Sequence, residues 1–457
     1  MANLKDVYHK DTYRFHQPPD SYWRATTTPV EFPALTENTE ADVAIIGGGV
    51  TGLLAALRLA KEFGKDVVVL EAGSIGWGAS GRAGGFNSGM ASKLSVTELH
   101  KKFGLEATRE FAAEQDRATD LVYEIAEAEQ IEMDVAGSGV FVSATSGRAA
   151  MNLREDVQIY KETVGKEVEY LGREDFHDRV HKGKFVWGGL HIPGGSGIHP
   201  LKYTLGIAKA AKQYGARIFE SSRVTAWKKS GDKHLLKATR GAVIASRVIV
   251  ATNAYSSDRL IPKLDRRMLP LISSILVTRP LETDELERAG YSNHTPVYTS
   301  NNKLFYYRLL PDNRFLIGGR GDTIGSVPAG ARNAYWLEQE FRSLFPAWQE
   351  VEIAYNWSGL VCVTQRGVPA LGCLPEDPSV GYGFGCHGSG LNNATWMGHE
   401  IAGVMASKDT IKAAQTLPKI VQSLPPRFFG PRRTIINTAL MAYSAIDAWN
   451  NRPIWRE

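Results

Sequence analysis

The stretch Gly47-Gly-Gly-Val-Thr-Gly52 constrains this chain more than any other feature of its sequence. It follows Ala41–Ile46, a short apolar run that reads as a buried strand. It precedes Leu53–Phe63, where Leu53, Leu54, Leu57 and Ala60 recur at helical spacing. Gly64 closes that helix, and the β-branched run Val67–Leu70 gives a second strand. Strand, glycine turn, helix and strand form a βαβ unit, which commits the first sheet to parallel pairing with helices on its faces. Gly47, Gly49 and Gly52 fit G-x-G-x-x-G: a tight turn out of the strand, close backbone approach to a pyrophosphate, and a small contact between helix and sheet. The amides at the helix start, from Val50 and Thr51, then face phosphate with the helix dipole behind them. Glu71 lies 24 positions after Gly47, where a carboxylate accepts hydrogen bonds from ribose hydroxyls. A carboxylate there disfavours a 2′-phosphorylated cofactor but does not separate FAD from NAD.

The rest of the chain reads as α/β material interleaved with antiparallel sheet. Helical spacing covers Gly104–Glu129 and Pro200–Tyr214. Short strands are expected at Val140–Ser143, Val168–Leu171, Ala216–Phe219, Arg223–Trp227, Arg247–Thr252 and Gly381–Cys386. Leu271–Val277, Lys303–Leu309 and Arg314–Gly318 read as an antiparallel sheet, the last two joined by a turn at Pro311-Asp-Asn. This order implies one nucleotide-binding domain assembled from separated segments, with a second sheet domain inserted into it. A length of 457 residues accommodates both. The excess of 53 basic over 49 acidic residues is too small for an obligate nucleic-acid binder. The three cysteines, Cys362, Cys373 and Cys386, lack CxxC spacing and point to a reducing, cytoplasmic setting. No signal peptide or membrane span is expected, and Thr434–Trp449 reads as a helix docked on the body. No cluster with metal-ligand spacing stands out, so no metal is expected.

The segment Gly76-Trp-Gly-Ala-Ser-Gly-Arg-Ala-Gly-Gly-Phe-Asn-Ser-Gly89 places six glycines in fourteen residues, directly after the fingerprint. Its backbone is bare enough to wrap a long flat ligand, and Ser80 and Arg82 add hydrogen-bond donors. Together, Gly47–Gly52, Leu70-Glu71-Ala72 and Gly76–Gly85 resemble the FAD-dependent D-amino-acid oxidase-like superfamily, which includes glycine and sarcosine oxidases. The pattern is most similar to its γ-glutamylputrescine oxidase-like branch, as is Ser21-Tyr-Trp-Arg-Ala-Thr. The resemblance continues through Arg217–Val224, Val248–Asn253, Tyr306–Gly319 and Val363–Gly403. It implies a Rossmann-like FAD-binding domain built from discontinuous segments (38–120, 186–270 and 355–457), after an N-terminal extension (1–37). A mostly antiparallel substrate domain (121–185 and 271–354) is inserted into it.

The resemblance also implies a site. FAD, held without a covalent bond, would meet Gly47, Gly49, Val50, Thr51, Gly52, Glu71, Ala72, Gly78, Ala79, Ser80, Arg82, Ala83, Gly84 and Gly85, with Val224 at the adenine. Cys362 lies near the stretch where some relatives attach the flavin covalently, about three residues out of register. Ala251-Thr252-Asn253 matches a family Ala-Thr-Gly turn, with an asparagine that tolerates left-handed backbone. Gly385-Cys-His-Gly-Ser-Gly390 matches the family GxSGHG loop with its polar residues exchanged. His387, Gly388, Gly390 and Leu391 would therefore lie at the flavin, where a helix from Leu391 aims its amino end at the pyrimidine edge. Tyr306 and Tyr307 align with a strand that presents an aromatic hydroxyl above the flavin. They point to opposite faces, so only one reaches the site. With Trp357, Phe86 and Phe384 that tyrosine would form an aromatic wall for an amine.

Departures from the family narrow the substrate. The positions where sarcosine oxidases grip a carboxylate fall near Ser88 and Asn392, both neutral, which favours an amine whose distal end is recognised elsewhere. The lysine that promotes oxygen reduction would fall near Leu316 or Ile317, so the final acceptor is O2 or an electron carrier. The expected activity is FAD-dependent oxidation of a C–N bond of a small primary or secondary amine, γ-glutamyl-polyamine-like or N-alkyl, by hydride transfer to flavin N5. The alternatives are a dehydrogenase or amino-acid oxidase of the same fold, or a non-catalytic flavin-binding protein.

Overall fold

A computed structural model of the chain describes residues 7–256, 260–291 and 293–450. The βαβ unit forms as the pattern predicts. Asn38–Ile46 pairs in parallel with Val67–Leu70, and Val50–Lys61 is the intervening helix. Val67–Leu70 then pairs in parallel with Arg217–Phe219. On the other side, Asn38–Ile46 pairs in parallel with Ala242–Val250. That strand is long enough to take two partners along one edge. Ala242–Ala245 pairs antiparallel with the hairpin strand Lys233–Lys237, and Val248–Val250 pairs in parallel with Asp377–Phe384. Ala370–Leu374 closes the edge antiparallel to Asp377–Phe384.

The sheet's central strands are buried on both faces, which is why they read as unbroken apolar runs. One face is covered by Val50–Lys61, which packs against Pro200–Gln213 and Gly390–Ala406. The latter also packs on Leu105–Ala128. Nine residues of the twelve-residue Val50–Lys61 helix are buried, so it is an interior helix rather than a surface one.

The second sheet has eight strands, in the order 353–363, 269–280, 314–320, 306–309, 297–299, 140–143, 189–192 and 169–171. All neighbours are antiparallel except the 297–299 and 140–143 pair. Arg314–Arg320 and Tyr306–Leu309 are joined at Pro311 to Asn313, where the turn was expected.

Some boundaries differ from the sequence reading. The expected strand Arg223–Trp227 starts only at Ala226. Ser221 takes a left-handed φ of 48°, and Ser222 turns back to donate its amide to the Glu71 carbonyl, so Val224 lies in an irregular connection. The strand expected to reach Cys386 ends at Phe384, because Gly385 has φ 89°. The helix Val327–Leu344 was not legible, since only Ala329, Leu337 and Phe341 of its residues are buried. The C-terminal helix Arg432–Asn450 docks through buried Ile436 and through Asp447, whose carboxylate accepts the amides of Asn302 and Lys303 at 2.9 Å each. Among the described residues, no helix is long and apolar enough to cross a membrane.

Candidate active site

A cavity of ≈ 430 Å³ runs between the two sheets. One end is built on the glycine turn. Gly47 leaves the first strand at φ 114°, and a Cβ there would come within 2.7 Å of the Ala251 carbonyl oxygen. Gly49 caps the helix but has no side chain to do so. Ser80 supplies the oxygen instead, its hydroxyl accepting the Val50 amide at 3.0 Å. A Cβ on Gly49 would close to 2.9 Å from that hydroxyl. Glu71 accepts the Gly48 amide at 2.7 Å on one carboxylate oxygen and the Gly73 amide at 2.8 Å on the other. Burial pushes its carboxyl upward and the backbone bonds pull it back, so it reaches the cavity wall as an acceptor already held in place.

The Gly76–Gly89 segment lines the middle of the cavity. Three side chains from three separate regions hold three successive carbonyls in it. The Trp357 indole donates to Arg82 O at 2.8 Å, the Trp23 indole to Ala83 O at 2.9 Å, and Arg308 Nε to Gly84 O at 3.0 Å. Arg308 also reaches Ile198 O at 2.6 Å. Arg82 lies over the Trp77 ring at 4.1 Å and donates to Trp77 O and Ser358 O. Its guanidinium is thus largely engaged by the loop itself.

The far end carries aromatic and loop residues. The Tyr306 hydroxyl meets Ser273 Oγ at 2.8 Å, and its ring stands edge-on to Phe86 at 5.7 Å. Burial pushes the phenol up to about 12, so Tyr306 is neutral at physiological pH. Asn253 adopts φ 44°, and its side chain accepts the Gly385 amide at 3.0 Å, a bridge between two cavity loops that a glycine cannot make. His387 also takes a left-handed φ, 54°. Burial drives its imidazole down to about 3, so the ring is neutral. Thr364 spends its one hydrogen on Val368 O at 2.7 Å, so His387 Nε2, 3.3 Å from that hydroxyl, carries the ring proton. His387 Nδ1 is then a bare acceptor, buried and without a partner among the described residues.

Of the residues read from the sequence, Gly47, Gly49, Val50, Thr51, Glu71, Ala72, Gly78, Ala79, Ser80, Arg82, Ala83, Gly84, Val224, Ala251, Thr252, Tyr306, His387, Gly388, Gly390 and Leu391 line this one cavity. Gly52 does not; it fills the contact between helix and strand. Gly85 packs behind the loop against Ile198 and Arg308. Tyr307 points to the opposite face of its strand, where its hydroxyl meets His181 Nε2 at 2.9 Å inside an aromatic core. Trp357 stands behind the glycine-rich loop as a donor to it, and Phe384 is buried in a separate cluster. Cys362 lines the cavity as a thiol that burial pushes well up. Ser88 lines it too, whereas Asn392 turns away to donate to Gly89 O at 3.0 Å. Two cations on the wall, Lys93 and Arg320, have no counterpart in the sequence reading. Arg320 was findable: it lies two residues beyond Gly318, hence on the same face of a strand that opposes Tyr306.

These residues fit FAD. Bare backbone, a capped helix start and a fixed carboxylate suit a dinucleotide at one end, and a planar ring has an aromatic edge and an unpaired acceptor at the other. The family described as FAD dependent oxidoreductase (DAO) matches residues 42–404. The chain is 33% identical over 387 residues to gamma-glutamylputrescine oxidoreductase of Escherichia coli (strain K12), covering 84% of this chain and 88% of that protein. It is 25% identical over 376 residues to glycine oxidase of Geobacillus kaustophilus (strain HTA426), covering 81% of this chain and 94% of that protein. The crystal structure of glycine oxidase from Geobacillus kaustophilus superposes with a TM-score of 0.67 at 24% identity, over 86% of this chain and 100% of that one. Fingerprint, cavity and similarity agree, and the chain belongs to the FAD dependent oxidoreductase (DAO) family.

Proposed function

We propose that this protein oxidises the C–N bond of a small primary or secondary amine, with FAD held non-covalently. The observation that carries this reading is the continuity of the cavity, which joins the Gly47–Ser80 phosphate region to Tyr306 and His387 in one space. The relatives named for gamma-glutamylputrescine and glycine support the amine as substrate class. FAD, when bound, supplies the hydride acceptor. The chain's own task is to hold the amine's α-carbon about 3–3.5 Å from that acceptor and to exclude water. Tyr306, fixed by Ser273, and Phe86 offer a neutral aromatic surface for that carbon. His387 holds its proton on Nε2 and presents Nδ1 to accept a hydrogen bond from the bound ring. The Gly390–Ala406 helix starts beside it and favours negative charge there. The imine product hydrolyses to an aldehyde plus an amine or ammonia.

We propose O2 as the final acceptor. Leu316 and Ile317, fully buried and apolar, favour an electron carrier as the second reading. Peroxide released in step with substrate consumption selects the first, and its absence selects the second. The ring-facing sheet is proposed as the substrate domain, with Gly189–Ile192 and Ile353–Val363 among its strands. A cytoplasmic site of action is proposed from three cysteines that are all unpaired.

The test is an anaerobic screen of γ-glutamylated diamines, N-alkyl amines and α-amino acids against the visible flavin band. Bleaching by an amine of the first two groups is the expected outcome. Bleaching by α-amino acids alone, or by none of the three groups, contradicts the proposal.

A further inference from the structure

Among the described residues, four basic side chains line the cavity; Arg82 is engaged by Trp77 O and Ser358 O and Arg223 lies over the Phe15 ring, which leaves Lys93 and Arg320. Lys93 follows the glycine-rich segment and is anchored by its amide on Gly367 O at 2.8 Å. Arg320 ends the strand Arg314–Arg320, directly opposite Ser273, the residue that fixes the Tyr306 hydroxyl. Both line the cavity. Glu71, at the dinucleotide end, is the one carboxylate among the described lining residues. The groups acting on Arg320 are the phenols of Tyr8, Tyr306 and Tyr443, and Arg320 Nε is buried with no hydrogen-bond partner among the described residues. Lys93 is solvent-exposed, yet the surrounding protein and the Arg320 charge push its ammonium down to about 8. Like charges on the wall of one cavity repel, and an anion bound between them relieves that repulsion.

We propose that Lys93 and Arg320 form an acceptor site for a carboxylate borne by the amine substrate on a carbon remote from the one oxidised. This rests on the amine-oxidation reading and names its substrate class: amines with a distal carboxylate. Ser88 and Asn392, where relatives grip an α-carboxylate, are neutral here. Arg320 stands instead beside Tyr306, where Tyr8 of the N-terminal segment and Tyr443 of the C-terminal helix approach it, and Lys93 lines the same cavity. Arg320 has a free Nε edge, which suits a planar carboxylate, and Lys93 adds a point charge.

The experiment uses the holoenzyme and two matched probes, 5-aminopentanoate and pentylamine, with glutarate as a non-oxidisable ligand followed by the flavin spectrum. The kcat/KM ratio of 5-aminopentanoate over pentylamine is expected to favour the acid. Arg320→Gln and Lys93→Gln, on separate elements, should each lower that ratio about 10- to 100-fold. Both should weaken glutarate binding while retaining FAD. A ratio near one in the wild type, or variants that leave the ratio and glutarate binding unchanged, overturns the assignment. Loss of FAD from both variants also overturns it, because the pair then serves the cofactor. If neither amine bleaches the flavin while glutarate binds the wild type and not the variants, the amine reading fails and the anion site stands.

Discussion

Gly52→Val should give protein that retains no FAD and is less stable by about 3 kcal/mol or more. A Cβ at this position falls well inside contact distance of the Gly47 carbonyl oxygen, 3.1 Å from Ile45 Cγ2 and 3.3 Å from Ala251 Cβ. The oxygen is backbone in the turn itself, so it cannot move without rebuilding the phosphate cradle. Nor can the helix back away. On its other side Gly398 of the Gly390–Ala406 helix approaches so closely that a Cβ there would come 2.5 Å from Thr51 O. The substitution therefore distorts the turn rather than merely crowding it. Urea denaturation followed by far-ultraviolet circular dichroism gives the stability, and visible absorbance gives the FAD. A yellow Gly52→Val protein of wild-type stability contradicts the packing described.

Arg308→Met should weaken FAD binding about 10- to 100-fold while changing global stability by less than about 2 kcal/mol. Two effects oppose each other in the fold. Removing a cation that is fully buried with no acidic partner relieves a desolvation cost, visible in a guanidinium lowered to about 10. Against that, Gly84 O and Ile198 O lose their donors, and the contact with the Trp23 ring at 5.6 Å loses its charge. These roughly cancel in stability but not at the site, because Arg308 is one of three donors that fix the carbonyls of residues 82 to 84. Freed, the loop must be ordered again by the cofactor it is meant to receive, and affinity falls. Trp357→Phe removes a neighbouring donor without touching charge and should show a smaller loss of the same kind. FAD dissociation measured by fluorescence on dilution separates the two. An Arg308→Met protein that unfolds yet binds FAD normally when folded contradicts this account.

The cofactor half of the site was legible because its chemistry is backbone chemistry written in consecutive letters. Gly47 to Gly52, Glu71 and Gly76 to Gly85 are local, and their spacing alone restricts what the chain can do there. Asn253 was legible for the same reason: one residue type tolerant of left-handed backbone at a turn, found at φ 44°. The ring end was harder. Tyr306 and Tyr307 are adjacent, and only the sheet's register decides that Tyr306 faces the cavity while Tyr307 meets His181. Trp357 reads as part of an aromatic wall and Trp23 only as a letter of an N-terminal motif, yet what matters in them is an indole N–H aimed at a carbonyl more than 270 residues away for the first and 60 for the second. Lys93 and Arg320 lie 227 positions apart in sequence, and nothing local announces that they share a wall. Long-range pairing of polar groups is set by tertiary structure, and a single sequence carries little record of it.

Every step depends on the glycine-lined cavity holding a flavin. The direct measurement is to purify the protein, denature it, and quantify FAD in the protein-free supernatant. The account predicts a yellow protein that releases FAD in proportion to chain concentration. A colourless protein that stays colourless after incubation with excess FAD contradicts it.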